Sequence, residues 1–408
     1  MDNTTKIFRL SGKVQHYTWG GTDFIPQLLE QDNTSKKPFA EYWMGAHDNA
    51  SSDIVFPDES VQPVNTFLKN NPAALGTPVY ETFGRLPYLF KVLDVKDMLS
   101  IQVHPAKQAA EKEFAAENKK GVPLSAANRN YKDDNHKPEL MLALSGFWLL
   151  HGFKAPQALV SALKQTAELN FLLPVFGKDN YAALYKTVME MEQKKLNEVL
   201  QPLIDRITPL YEKGAIPKDK EDFWAARAVK TFCADGNLDK GIFSIYFFNL
   251  VHLQPGDAIF QDAGILHAYL EGQNMEIMAN SDNVLRGGLT NKHVDVNELM
   301  KHVRFEPVVP NILKGMPGSV PQEKIFPTPV TDFELHQLDM KAGDVVTLNT
   351  VTAEVFFVYN GKIVAANGND NMVLNRGEAM MAVANVPVTI QASEKAVVFR
   401  ATVPADSQ

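Results

Sequence analysis

Three regimes of apolar spacing divide the chain. Up to about residue 105 the apolar positions come in short runs broken by Gly, Pro, Asn and Asp, which predicts short strands joined by turns. Leu86-Pro87-Tyr88-Leu89-Phe90-Lys91-Val92-Leu93-Asp94-Val95 is one run, and Leu99-Ser100-Ile101-Gln102-Val103-His104 follows it. Strand side chains alternate, so Leu99, Ile101 and Val103 are expected to face a core while Ser100, Gln102 and His104 share a polar face. From Ala106 to Lys120 an Ala-, Glu- and Lys-rich stretch predicts a helix, stopped by Gly121-Val122-Pro123. A polar loop from Asn128 to Asn135 follows, of the kind that in compact domains is often functional.

From about 155 to 235 the period becomes helical. Leu196, Val199, Leu200, Leu203, Ile204 and Ile207 form the stripe of an amphipathic helix. Pro202 lies inside the stripe and predicts a kink or a helix start there. Trp224, Ala228 and Val229 suggest another helix. No residue of this block shows a chemical pattern. At Gly241 the β pattern returns, with Ile242-Phe243-Ser244-Ile245-Tyr246-Phe247-Phe248 and then Val251-His252-Leu253 as expected strands. Asp344–Leu348 and Glu354–Tyr359 read as strands near the C-terminus, and Asn360-Gly361 as a hairpin turn. Many short strands with such turns imply a barrel or jelly roll.

Composition narrows the function. A chain of 408 residues suggests two or three domains and needs no disulfide to hold a core. The net charge of -8 leaves no basic excess for a phosphate backbone, so nucleic acid is not expected as a partner. An anionic metabolite remains possible if cations gather locally. Cys233 is the single cysteine, which excludes an intrachain disulfide and a Cys-rich zinc site and fits a reducing compartment. Any metal must therefore be held by His, carboxylate or amide oxygen. The start Met1-Asp2-Asn3-Thr4-Thr5-Lys6 lacks the pattern of a signal peptide, and no apolar run approaches the ~20 residues that span a bilayer. A cytoplasmic protein without membrane contact and without an obligate protein partner is expected.

Gly256 and the later Asp262-Ala263-Gly264-Ile265-Leu266-His267 resemble the second cupin motif, with Asp262 where Pro is usual. Gln102-Val103-His104 resembles the H-x-H of the first cupin motif, with Gln in the first place. The i, i+2 spacing puts both side chains on one face of a strand. The carboxylate that usually follows has its candidate in Glu139, within His136-Lys137-Pro138-Glu139. Singly, each is weak: a lone strand His is ordinarily just hydrogen-bonded, and Glu139 alone reads as an ion-paired carboxylate. Gly377 with Met380 to Val388 repeats the rhythm of the second motif, with Val388 where the ligand His would stand, so a second barrel without a metal is expected.

Longer blocks carry a family resemblance. Tyr17-Thr18-Trp19-Gly20-Gly21, Glu41-Tyr42-Trp43-Met44-Gly45-Ala46-His47, Leu99 to Pro105, Asn135 to Glu139 and Glu276 to Lys292 are similar to type I mannose-6-phosphate isomerase. The resemblance implies a mainly β fold of two cupin-type jelly-roll barrels with a helical insertion. It divides the chain into a catalytic barrel (1–153 and 236–318), a helical insertion (154–235) and a degenerate C-terminal barrel (319–408). It implies one Zn²⁺ per chain, held by Gln102, His104, Glu139 and His267, and interconversion of mannose 6-phosphate and fructose 6-phosphate through a cis-enediol.

The chemistry then needs a base, a proton carrier and a group for the developing oxyanion. Arg286, before Gly287-Gly288, suits the last role, since a guanidinium keeps its charge; read without the family it is a structural arginine paired with Asp282 or Glu276. Lys137, with His136 handling a proton, and Glu276 are the alternative bases. Ser100, Lys292, Lys91 and Asp282 are candidates for substrate and phosphate, and Trp19 and Tyr269 for stacking on the sugar. Two rival readings are an Fe(II) cupin oxygenase, whose metal is also held by two His and a carboxylate, and a sugar-binding cupin without turnover.

Overall fold

The strand His267–Ala279 is the spine of the site. In the computed structural model, which describes residues 5–404, it pairs antiparallel with four other strands. Its first residues pair with Gln102–Val103 and Phe147–Phe153, its later ones with Tyr88–Val95 and Glu139–Ala143. The change of partners surrounds Gly272, whose φ of +134° favours glycine. A Cβ there would lie 2.6 Å from the Phe147 ring. The start Met1–Thr4 lies outside the described residues.

The expectation of a strand-rich, antiparallel fold with a helical region holds. Its sheets have nine, ten and four strands. They are open in their hydrogen bonding, and no closed barrel forms among the described residues. The first strand, Ile7–Ser11, pairs with Ala379–Ala382, so the two ends of the chain share the nine-stranded sheet. A sequence boundary near 319 therefore does not separate the sheets.

Several local expectations change. Of Leu99 to His104, only Gln102–Val103 is strand, although Ile101 and Val103 are buried as expected. The N-terminal part includes short helices. Thr77–Phe83 has Pro at its start and Gly84 in left-handed geometry at its end, a signature readable in the sequence. The helix Lys107–Lys119 agrees with the expected one. Pro202 neither starts a helix nor ends one, since Gln193–Glu212 runs through it. Pro202 lies on the exposed face of that helix.

Gly241–Phe247, expected as a strand, is a helix with all of its residues buried. A continuous apolar run has no period to separate a buried strand from a buried helix. The Asn360-Gly361 turn is present, with φ +81° at Gly361, but its flanking strands do not pair as a hairpin. Glu354–Asn360 pairs with Ala379–Ala382 and Ala396–Thr402, whereas Lys362–Asn367 pairs with Asp370–Asn375 and Pro387–Ala392. The turn passes the chain from one sheet to another. Val388 is fully buried in an apolar cluster with Leu348 and Ile390.

Candidate metal and anion site

Cross-strand register builds the site. His267 lies opposite Gln102, and Gln102 lies opposite Arg286. Paired residues of an antiparallel ladder project to the same side, so an imidazole, an amide and a guanidinium form one row. A second row runs from Trp43 through Lys91 to Glu276. Glu139 comes from the strand beside Met278.

His104, Glu139 and His267 each offer a ligand atom, all within 4.8 Å of one another, and all three are buried. They are the one such group found among the described residues. His104 Nε2 lies 3.5 Å from Glu139 Oε1, and His267 Nε2 lies 3.4 Å from Glu139 Oε2. The opposite ring nitrogens face backbone carbonyls, His104 Nδ1 that of Asn283 at 2.8 Å and His267 Nδ1 that of Ile265 at 3.0 Å. Donation to those carbonyls sets the tautomer and turns both Nε2 lone pairs inward. His104 Nε2 is buried without a hydrogen-bond partner. Burial lowers the His104 pKa to about 4, which keeps the imidazole neutral. Burial works to raise the Glu139 pKa, but Lys137 and the imidazoles outweigh it and hold the carboxyl well below its ordinary range. Two imidazole nitrogens and a carboxylate are a donor set that fits a divalent cation. Gln102 is the cross-strand neighbour of His267.

A cleft of about 1170 Å³ opens beside this group. Gln102, Ser100, Lys137, Lys91, Arg286, Asp282 and Lys292 border it. Lys137 Nζ lies 3.2 Å from Glu139 Oε1, at the cleft wall. Among the described residues Arg286 makes no ion pair; the structural pairing with Asp282 or Glu276 does not occur. Asp282 instead takes His47 at 3.4 Å and Asn49 at 2.7 Å. Burial, then the charge of Arg286, lowers the pKa of Lys292, which places the two cations near each other.

Other candidates sit differently. His136 is turned away: its Nε2 lies 2.9 Å from Asp332, a residue of the C-terminal part. His136 and Lys137 precede the strand Glu139–Ala143, and there the chain turns Lys137 toward Glu139 and His136 toward Asp332. Glu276 is buried behind the wall, and both of its oxygens are engaged. Lys91 Nζ donates to Oε1 at 2.8 Å and the Tyr269 hydroxyl to Oε2 at 2.8 Å. Burial raises its pKa, with Glu139 and Glu41 adding to the effect and Lys91 opposing it. Lys91 also lies 3.6 Å from Glu41, so two carboxylates neutralise it. Trp19 borders the cleft, stacked on Tyr17 at 5.8 Å, whereas Tyr269 is core, edge-on to Phe147 at 5.3 Å.

Three features carry no mark in the sequence reading. Glu41, Trp43 and His47 join the cleft wall. Their alternation in Glu41-Tyr42-Trp43-Met44-Gly45-Ala46-His47 is the signal that could have found them. His151 lies opposite His267 and bonds Gln261 at 2.8 Å. The helical insertion, which showed no chemistry, lends the cleft Arg227 and Lys230.

The family described as phosphomannose isomerase type I, catalytic domain, matches residues 7–156. Mannose-6-phosphate isomerase of Salmonella typhimurium is 37% identical over 379 residues, covering 91% of this chain and 93% of that protein. The Homo sapiens protein of the same name is 31% identical over 429 residues, covering 97% of this chain and 98% of its own. A crystal structure of the Salmonella typhimurium enzyme bound to fructose 6-phosphate and zinc superposes with a TM-score of 0.86 at 32% identity, covering 98% of this chain and all of that one.

Proposed function

The chain belongs to the type I phosphomannose isomerase family, and we infer from this that it interconverts mannose 6-phosphate and fructose 6-phosphate with zinc. The observation that carries the reading is the buried His104–Glu139–His267 group beside a cleft whose Arg286 and Lys292 make no ion pair among the described residues. Zn²⁺ would be held by these three residues with Gln102, and would supply Lewis-acid polarisation of the sugar oxygens.

The remaining work belongs to side chains. Ser100 and Lys292 hold the phosphate, with Lys91 and Asp282 along the same wall. In the open-chain sugar, Lys137 takes the proton from C2 and returns it at C1, while a hydroxyl proton passes between O2 and O1. Arg286 faces the enediolate oxygen, where a fixed charge stabilises the transition state more than the ground state. Lys137 suits the base better than Glu276, because Lys137 borders the cleft and Glu276 is occupied by Lys91 and Tyr269. His136 has no part in this scheme.

Residues 1–153 and 236–318 read as the catalytic unit, 154–235 as a helical insertion and 319–408 as a unit whose metal site is replaced by packing around Val388. The partner is a small sugar phosphate. A cytoplasmic location fits the single, buried, free Cys233, and no helix among the described residues is long and apolar enough to cross a membrane. The oxygenase reading leaves Arg286 and Lys292 unused, and the binding-only reading leaves unused a candidate base, Lys137, beside the metal group. A coupled assay with mannose 6-phosphate, before and after chelator treatment, tests the function. Turnover lost to chelator and restored by zinc is expected; no turnover by zinc-loaded protein would overturn it.

A further inference from the structure

The segment that carries Arg286 and Lys292 is held from outside the cleft. Leu289, between them, has φ +52° and is fully buried. A bulky side chain adopts this left-handed conformation only when its surroundings impose it. Asp239 imposes it. Its Oδ1 accepts the backbone N–H of Leu289 at 2.6 Å and of Gly241 at 2.7 Å, and its Oδ2 accepts that of Thr290 at 3.2 Å. One carboxylate thus ties the loop to the first turn of the buried helix Gly241–Phe247.

The backbones meet closely on both sides of this tie. A Cβ on Gly288, where φ is +114°, would lie 2.5 Å from the Gly241 nitrogen. A Cβ on Gly287 would lie 2.4 Å from the hydroxyl of Tyr185, which comes from the helix Tyr181–Met189. The loop is therefore seated against the helix Gly241–Phe247 and, through Tyr185, against the helical insertion, and Asp239, just before Gly241, is the charged contact in that seat. Asp239 is absent from the cleft wall and from the metal group.

We propose that Asp239 is a positioning residue for the isomerase site, setting where Arg286 and Lys292 meet the anionic end of the substrate. Charge-assisted bonds to backbone N–H groups are short and directional. Without them Leu289 relaxes out of its left-handed conformation, and the cations on either side move with it. A displacement of about 1 Å at a binding group is enough to cost up to about a hundredfold in rate. The proposal rests on the isomerase reading and gives the segment that leads into the buried helix Gly241–Phe247 a role in the chemistry.

The test compares full-length, zinc-loaded wild type with Asp239→Ala and Asp239→Asn. Asp239→Ala removes every acceptor; Asp239→Asn keeps one side-chain oxygen. Asp239→Ala is expected to raise KM for mannose 6-phosphate at least about tenfold and to weaken calorimetric binding of inorganic phosphate by a similar factor. Zinc stoichiometry stays at the wild-type level, and Asp239→Asn recovers part of both losses. If Asp239→Ala does not fold, Asp239→Asn against wild type decides on the same two readouts. Unchanged KM and phosphate affinity with only a lower melting temperature would overturn the proposal, as would loss of zinc in step with KM. Wild-type protein inactive on mannose 6-phosphate would instead overturn the isomerase reading, and phosphate calorimetry would still decide the role of Asp239.

Discussion

Lys91, at the cleft wall, and Glu276, behind it, form a buried ion pair, Nζ to Oε1 at 2.8 Å. Both are nearly inaccessible to water. Removing one partner of such a pair leaves an uncompensated charge and ordinarily costs about 3–5 kcal/mol. Glu41, 3.6 Å from Lys91, remains to share the charge. Glu276→Gln is therefore expected to destabilise by less than about 3 kcal/mol, read from urea unfolding, while Lys91→Met, which strands both Glu41 and Glu276, costs more. Equal costs for the two variants would show that Glu41 does not share the charge.

Metal and guanidinium separate by mutation. His267→Ala leaves two members of the buried group and is expected to lose zinc and activity together, seen by metal analysis of the purified protein. Arg286→Ala is expected to keep its zinc and its melting temperature while kcat falls about 10²–10³-fold, the usual effect of losing one charge-stabilising donor. Wild-type kcat in Arg286→Ala would remove this residue from the chemistry.

Lys137 and His136 are neighbours in sequence but face different surroundings. Lys137→Met is expected to abolish most turnover without losing zinc. His136→Ala is expected to keep kcat within about threefold and to lower stability by about 1–2 kcal/mol, because it breaks the contact with Asp332 and leaves that carboxylate buried. Steady-state kinetics beside thermal unfolding distinguishes the two. A large kcat loss in His136→Ala would restore it as a proton carrier.

A buried charge cluster in the C-terminal part predicts pH-dependent stability. His336 lies 2.7 Å from Glu323 through Nδ1 and 2.7 Å from Glu334 through Nε2. Burial opposes the imidazolium, but the two carboxylates outweigh it and raise the His336 pKa. That stabilisation is complete below the unfolded-state pKa of about 6.5 and is lost as pH rises through the folded value. Burial likewise opposes the Glu323 carboxylate, but His336 and Ser319 outweigh it and bring its pKa to about 2. Its stabilisation is present above the unfolded value of about 4.3 and is lost as pH falls through the folded one. Urea unfolding of wild type against His336→Gln is expected to show the largest gap between about pH 4.5 and 6.5, narrowing on both sides. A gap independent of pH would mean that the pair contributes by shape alone.

Much of the site is legible along the chain alone. His104, Glu139 and His267 stand out because motif spacing and chain order mark them, and the fold brings them together as expected. His136 looks equivalent to Lys137 because sequence adjacency does not show which face a side chain takes. The buried helix Gly241–Phe247 reads as a strand because uniform burial erases the period that local reasoning uses. Glu41, Trp43 and His47 carry a period-two signal, but only their pairing with the strand of Lys91 gives it a purpose.

By itself, then, the amino-acid order determined the strand-rich architecture and the helical segment, because these follow from local periodicity, and it pointed to the candidate metal group through long blocks that resemble one family. Only the folded chain decided which side chains meet. The row from His267 through Gln102 to Arg286, the engagement of Glu276 by Lys91, and the seating of Leu289 against Asp239 all join residues far apart along the chain. The first two depend on strand register, where a shift of one residue turns every side chain to the other face, and the third on the packing of a loop against a buried helix; no local pattern records either choice.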